Sequence, residues 1–114
     1  CSPKNENLIS LYLKNKNIFY IQQHKFDDCK NFRRLPFDFY IPKLNLCIEF
    51  QGKQHYEPIE FFGGENGFII QQKRDNIKQT YCKDKDINLL ILKYNDDVLL
   101  KLSSYLNNYS LVKL

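Results

Sequence analysis

No run of this 114-residue chain is apolar for long enough to cross a bilayer, and no basic-then-apolar opening marks it for secretion. An intracellular protein is expected. Cysteine is sparse and scattered: Cys1, Cys29, Cys47 and Cys82 include no C-x-x-C pair. That spacing argues against a zinc site built within the chain, and a reducing compartment argues against structural disulfides. Neither staple is needed. A chain of this length buries one core unaided, and 43% hydrophobic with 26% charged residues is the balance of an ordinary globular domain. A single domain is expected over residues 1–114. Its start at Cys1 rather than Met is what the C-terminal fragment of a longer protein would show.

Two short runs of alternating apolar and polar residues carry the most information. In 34-RLPFDFYIP-42, Phe37, Phe39 and Ile41 are expected on one side, with Asp38 and Tyr40 on the other. In 43-KLNLCIEFQG-52, Leu44, Leu46, Ile48 and Phe50 oppose Lys43, Asn45, Cys47, Glu49 and Gln51. The connection at 42–45 is short enough for a four-residue turn, so the strands should be antiparallel. Pairing Ile41 with Leu46 then sets Phe39 against Ile48, Phe37 against Phe50, and Asp38 against Glu49. A slip of one residue would send the two apolar sets to opposite faces.

Opposed side chains in such a pair have β-carbons about 4.5 to 5.5 Å apart, where like charges repel. A hard divalent cation gives two carboxylates a reason to meet. Mg²⁺ prefers carboxylate and carbonyl oxygens at about 2.0 to 2.1 Å and keeps water positions open for substrate phosphates. The alternative is a pair of solvated acids on the outer face of an edge hairpin, and on the acids alone both readings stand. Beyond them Gly52 can break the strand, and Gln51, Lys53 and His55 present polar heads beside the pair.

The string 49-EFQGKQHYEP-58, together with Asp38 in LPFDFYIP, resembles the PD-(D/E)XK nuclease superfamily. Within it, the closer likeness is to the group like the very-short-patch-repair endonuclease, which includes phage homing endonucleases. The resemblance covers roughly residues 5–94, with 38–56 its specific part. It implies a restriction-endonuclease-like α/β (α+β) fold: a helix carrying Glu, a strand hairpin bearing Asp and then Glu-x-Lys or Glu-x-Gln, a second helix and a further strand. By the same resemblance Asp38 and Glu49 are metal ligands and Glu6 is the acid of the first helix. Gln51 is the last motif position, His55 the histidine after the strand, and 72-QKRDNIKQTYC-82 the basic helix that follows. Mg²⁺, with Mn²⁺ able to substitute, and DNA are the implied cofactor and substrate.

The chain departs from that pattern twice. Phe37 stands where the name-giving motif has Pro, which is not a catalytic group. Gln51 stands where most members have Lys, so an ammonium that would orient water or stabilise developing charge is missing there; Gln is neutral and only hydrogen-bonds. In some proteins of this kind a small zinc-binding module precedes the nuclease domain, and Cys1 would then be its last ligand.

The expected layout is αβββαβα, a central mixed sheet flanked by helices. Ser2 and Pro3 suit an N-cap and first turn, and Leu8, Ile9, Tyr12 and Leu13 make an apolar stripe to about residue 14. Glu6 falls in the first turn, where the helix N-terminus explains an acid as well as a metal does. A strand is expected over 17–26, with His24 on its surface, and a polar loop over 27–34. Residues 57–67 combine Pro58 and three glycines with Phe61 and Phe62. They read as a loop flanking the site or, equally, as a packed surface loop. The second helix is expected over 66–83, with Phe68, Ile69, Ile77 and Tyr81 toward the sheet and Gln71, Arg74, Asp75, Lys78 and Gln79 outward. The apolar run 87–94 reads as a buried central strand. Asn95 or Asp96 should cap a last helix with Leu99, Leu102 and Leu106 inside.

Charge is uneven along the chain. Residues 1–37 hold seven Lys/Arg and three acids, 38–70 two and five, and 71–114 eight and five. Basic flanks around an acidic centre suit a polyanion held while one phosphate is attacked, although such runs are commonly solvated faces. The expected reaction is hydrolysis of a DNA phosphodiester by a metal-activated water. In it Asp38 and Glu49 hold the ion and Glu6 holds one of its waters or aids a second ion. Gln51 orients the attacking water, and His55 acts as general base or protonates the leaving group. Lys53, Arg74 and Lys78 would meet phosphates, though Asp75 and Lys78 form an exposed helix pair equally well. Two other classes stay open: a DNA-binding module that kept the fold and lost the reaction, for which Gln51 argues, and a phosphodiesterase acting on RNA. A dimer would suit double-strand cleavage; target sequence and oligomeric state are not legible.

Overall fold

The computed structural model describes residues 3–31, 33–52, 56, 58, 60 and 63–113, with backbone alone at 3–5, 31 and 108–113. The elements are α1 (Pro3–Asn15), β1 (Ile21–Asn31), β2 (Arg33–Ile41), a 3₁₀ turn (Pro42–Leu44), β3 (Leu46–Gln51), α2 (Gly64–Asp84), β4 (Asn88–Lys93) and α3 (Val98–Lys113). Their order is the expected αβββαβα, an α+β arrangement. One four-stranded sheet runs β1-β2-β3-β4. The first two pairings are antiparallel, while β3 and β4 are parallel because α2 carries the chain back between them.

The β2–β3 register is the one the apolar alternation dictates: Ile41 faces Leu46, Tyr40 faces Cys47 and Phe39 faces Ile48. Its turn spans 42–45. Asn45 closes it in the left-handed region (φ 49°), a conformation Asn tolerates, and donates its N–H to the Pro42 carbonyl. The Tyr40 hydroxyl donates to Asn45 Oδ1 at 2.9 Å and pins the turn to its strand.

All six residues of β3 are buried, as an interior strand covered on both faces requires. Leu46, Ile48 and Phe50 join Ile9 and Leu13 of α1 and Val98, Leu102 and Leu106 of α3 in the larger core. Cys47 turns to the other face, where Cys29, Phe37 and Cys82 form a smaller cluster under α2. The odd-numbered positions of β3 therefore look toward α2, and Glu49 and Gln51 are among them.

Several expectations need correction. Residues 27–31 and 33–34 are strand rather than polar loop, because β1 is an edge strand whose outer side faces water and β2 supplies the hydrogen bonds. β4 lies at the sheet edge, not its centre; its apolar run is covered by helices, with Leu90 and Leu92 in the larger core and Leu89 against the smaller one. Asp97 caps α3, accepting the Leu100 N–H at 3.2 Å, while Asp96 accepts the Lys93 N–H at 2.8 Å. Val98 rather than Leu99 begins the inner stripe of that helix. In α2, Ile77 and Tyr81 face the sheet as expected, but Ile69 is exposed and Asp75 is buried, so the inner face also takes in polar positions. Among the described residues no helix is long and apolar enough to cross a membrane.

Candidate active site

Beyond the Phe39–Ile48 pair the ladder between β2 and β3 ends, and two carboxylates take its place. Glu49 Oε2 accepts the backbone N–H of Asp38 at 3.1 Å, and Asp38 Oδ2 accepts the backbone N–H of Phe50 at 2.8 Å. Each acid thus satisfies a donor on the opposite strand that the parted ladder would leave orphaned. The parting also breaks the alternation of β2, in which residues 37, 38 and 39 are buried in succession. Phe37, expected opposite Phe50, packs instead in the cluster under α2, whereas Phe50 stays in the larger core.

The two acids are neither solvated nor outward. Asp38 is 7% exposed, Glu49 6% and Gln51 6%. Lys78 reaches in from α2 to place its Nζ 2.5 Å from Glu49 Oε1, and the same ammonium lies 5.3 Å from the Phe37 ring centre. Burial pushes the Glu49 carboxyl up to about 7; the Lys78 charge opposes the rise, and the Asp38 charge adds to it. Glu6, on the first turn of α1, is also raised, first by burial and then by the charge of Asp38. Its carboxyl therefore lies within the field of the fork. Gln51 Oε1 accepts the Tyr56 hydroxyl. Asp75, one turn of α2 before Lys78, is buried and accepts Gln71 Nε2 at 3.1 Å.

Three of the expected residues, Asp38, Glu49 and Gln51, are buried together at the end of the β2–β3 fork, while Glu6 on α1 feels the charge of Asp38. Arg74 is exposed on α2, while Lys78, expected beside it on a phosphate-gripping face, is turned inward. Lys53 and His55 lie outside the described residues, as does Cys1. Sequence reasoning missed Lys78 as a partner of Glu49, and missed Tyr56 altogether. A signal for the first was present. Gln71, Asp75, Lys78 and Cys82 fall at i, i+4, i+7 and i+11, one continuous helical stripe, and it is the stripe that faces inward. It was hidden because inward stripes are sought among apolar residues.

The donor set suits a hard cation. Among the described residues no group of three or more His, Cys, Asp or Glu side chains is arranged to hold a metal. Mg²⁺ does not require one, since it is bound through one or two carboxylates with water and phosphate completing its shell. An ionised carboxylate offers about four lone-pair sites, more than the named bonds of Asp38 and Glu49 use. Acidic oxygens, one ammonium and one amide in a water-poor fork can gather charge on a phosphate and orient an oxygen beside it.

Comparison with known proteins places similar sequences in viruses. The chain is 39% identical over 61 residues to the uncharacterized protein 307L of Invertebrate iridescent virus 6, a match covering 53% of this chain and 31% of that protein. It is 38% identical over 64 residues to the uncharacterized protein 094L of Frog virus 3 (isolate Goorha), covering 54% of this chain and 41% of that protein. Uncharacterized protein 033L of Invertebrate iridescent virus 3 is 33% identical over 61 residues. The matches thus span about a third to two fifths of these viral proteins' length. No family model and no solved structure matches the chain.

Proposed function

We propose that the chain is a divalent-metal-dependent endonuclease domain of the PD-(D/E)XK kind, acting inside the cell on DNA phosphodiesters. The observation that carries this reading is the buried meeting of Asp38, Glu49 and Lys78, since burial penalises charge unless it is paired or put to use. Asp38 and Glu49 would hold Mg²⁺, or Mn²⁺ in its place, which supplies the positive charge that polarises a phosphoryl oxygen and acidifies a bound water. Glu6 extends the acidic rim from α1. Lys78 provides the ammonium that the strand lacks at Gln51, and its three donors suit a phosphate oxygen once Glu49 is otherwise neutralised. With Oε1 held by Tyr56, Gln51 offers N–H donors and so positions an oxygen rather than deprotonating it. The general acid or base role remains with His55.

Supercoiled plasmid incubated with the protein and Mg²⁺ or Mn²⁺ should be nicked or linearised, and Asp38→Ala or Glu49→Ala should abolish the cut. Intact plasmid under both metals would defeat the reading. A second reading has its own observation in favour: each carboxylate already serves a backbone N–H of the opposite strand, which is a structural task. On that reading the chain is a DNA-binding module that retains plasmid without cutting it. Labelled RNA beside labelled DNA tests the remaining alternative, a phosphodiesterase acting on RNA.

A further inference from the structure

A cleft of about 550 Å³ lies between the start of β2 and the first half of α2. Four cations line it, Arg33 and Arg34 from the strand and Lys73 and Arg74 from the helix, and among the described residues no acid lines it. Its floor is apolar, formed by Leu35, Pro36 and Ile70. A second depression shares Arg33 and Arg34 and adds Lys25 and Lys30 together with one acid, Asp27, so a net positive surface continues onto β1. Of these cations Arg34 alone has an ion pair among the described residues, with the exposed Asp27 at 2.9 Å. Exposed pairs of that kind are worth little and yield readily to a stronger anion.

The position of the cleft gives this charge its meaning. It is lined by residues 33–36 and by 70, 73 and 74, and the residues of the carboxylate fork follow on both elements, Asp38 on β2 and Lys78 on α2. The four cations therefore stand, along both elements, immediately before the segments that carry the two acids. At a strand rise of about 3.3 Å per residue, Arg34 lies about 13 Å before Asp38 along β2. Duplex DNA carries one phosphate per roughly 3.4 Å of helix axis on each strand, and because the strand winds about that axis its successive phosphates are spaced about twice as far apart, so that span matches about two phosphates. Guanidiniums suit this task because their donors fork onto phosphate oxygens. Among the described lining residues no aromatic ring is present on which an unstacked base could lie, and that favours backbone contact over single-strand binding.

We infer that this cleft is a docking track for the phosphate backbone of duplex DNA, holding the strand that leads into the carboxylate fork. The inference builds on the nuclease reading for its direction but not for its test, which measures binding without metal. Fluorescence anisotropy of a labelled duplex in EDTA compares the wild-type protein with Arg33→Ala/Arg74→Ala and with a control, Lys14→Ala/Lys16→Ala. The control removes two charges of the same sign, one in the last turn of α1 and one just beyond it, both exposed. The cleft variant should bind about tenfold more weakly near 0.1 M salt, and the slope of log K against log salt should shrink by about 2. The control should bind as the wild type does, and both variants should keep the wild-type melting temperature because all four residues are exposed. Equal weakening in both variants, or none in the cleft variant, overturns the track. Tighter binding of single strands through the same two residues overturns the duplex assignment. A protein that binds in this way yet leaves plasmid intact refutes the nuclease reading and leaves the track standing.

Discussion

Glu49 is where the physics of the site can be measured most directly. Its carboxyl rises from an ordinary 4.5 to about 7, chiefly because burial disfavours the charge. Between those values the folded chain holds a proton that the unfolded chain releases. The stability this contributes is complete below about pH 4.5 and is lost as pH rises through about 7. The whole effect is about 3 kcal/mol, with about 2 to 3 kcal/mol of it falling between about pH 5 and about pH 8. Glu49→Gln keeps the shape and removes the titration. Urea unfolding of both proteins at the two pH values should show the wild type losing about 2 to 3 kcal/mol more than the variant on going from acid to base. Equal losses would refute the claim that the ionised Glu49 is held at a cost. A divalent cation bound there should restore stability at the higher pH, by about 2.7 kcal/mol at a hundredfold excess over its Kd.

Other perturbations separate the site from the scaffold. Lys78→Ala strips the buried partner from Glu49 and should destabilise the fold by about 3 kcal/mol or more near pH 8, and by less near pH 5 where Glu49 is protonated; chemical denaturation at both values reads the difference. Asp97→Ala removes the cap of α3 and should cost about 1 kcal/mol, seen as a lowered melting temperature with plasmid cleavage unchanged. Leu102→Ala opens a hole in the larger core, where the side chain is fully buried, and should cost about 2 to 5 kcal/mol in the same assay.

The strengths and failures of the sequence reading have physical causes. The helix and strand order was legible because each element carries its own period, and the hairpin register because one residue of slip would reverse every side chain. The 27–34 segment misled because the β1–β2 register shifts between Lys25 and Lys30, and such an irregularity interrupts the alternation by which a strand is recognised. β4 misled because helices can cover a strand as fully as neighbouring strands do. In α2 the polar stripe went unread since Asp75 and Lys78 look like solvent residues until their partners are known.

Period-two alternation, a property of the chain alone, set the hairpin register that brings Asp38 and Glu49 to the same end of β2 and β3, since covalent geometry sends every second side chain to the same face. What the linear order could not carry was the company they keep. Lys78 stands 29 residues from Glu49, and Cys29, Cys47 and Cys82, scattered along the chain, share one cluster. Whether a charge is buried, whether an ammonium answers it and where the ladder opens depend on how helices settle on the sheet. Those are properties of distance and solvent exclusion, which exist only once the chain is folded.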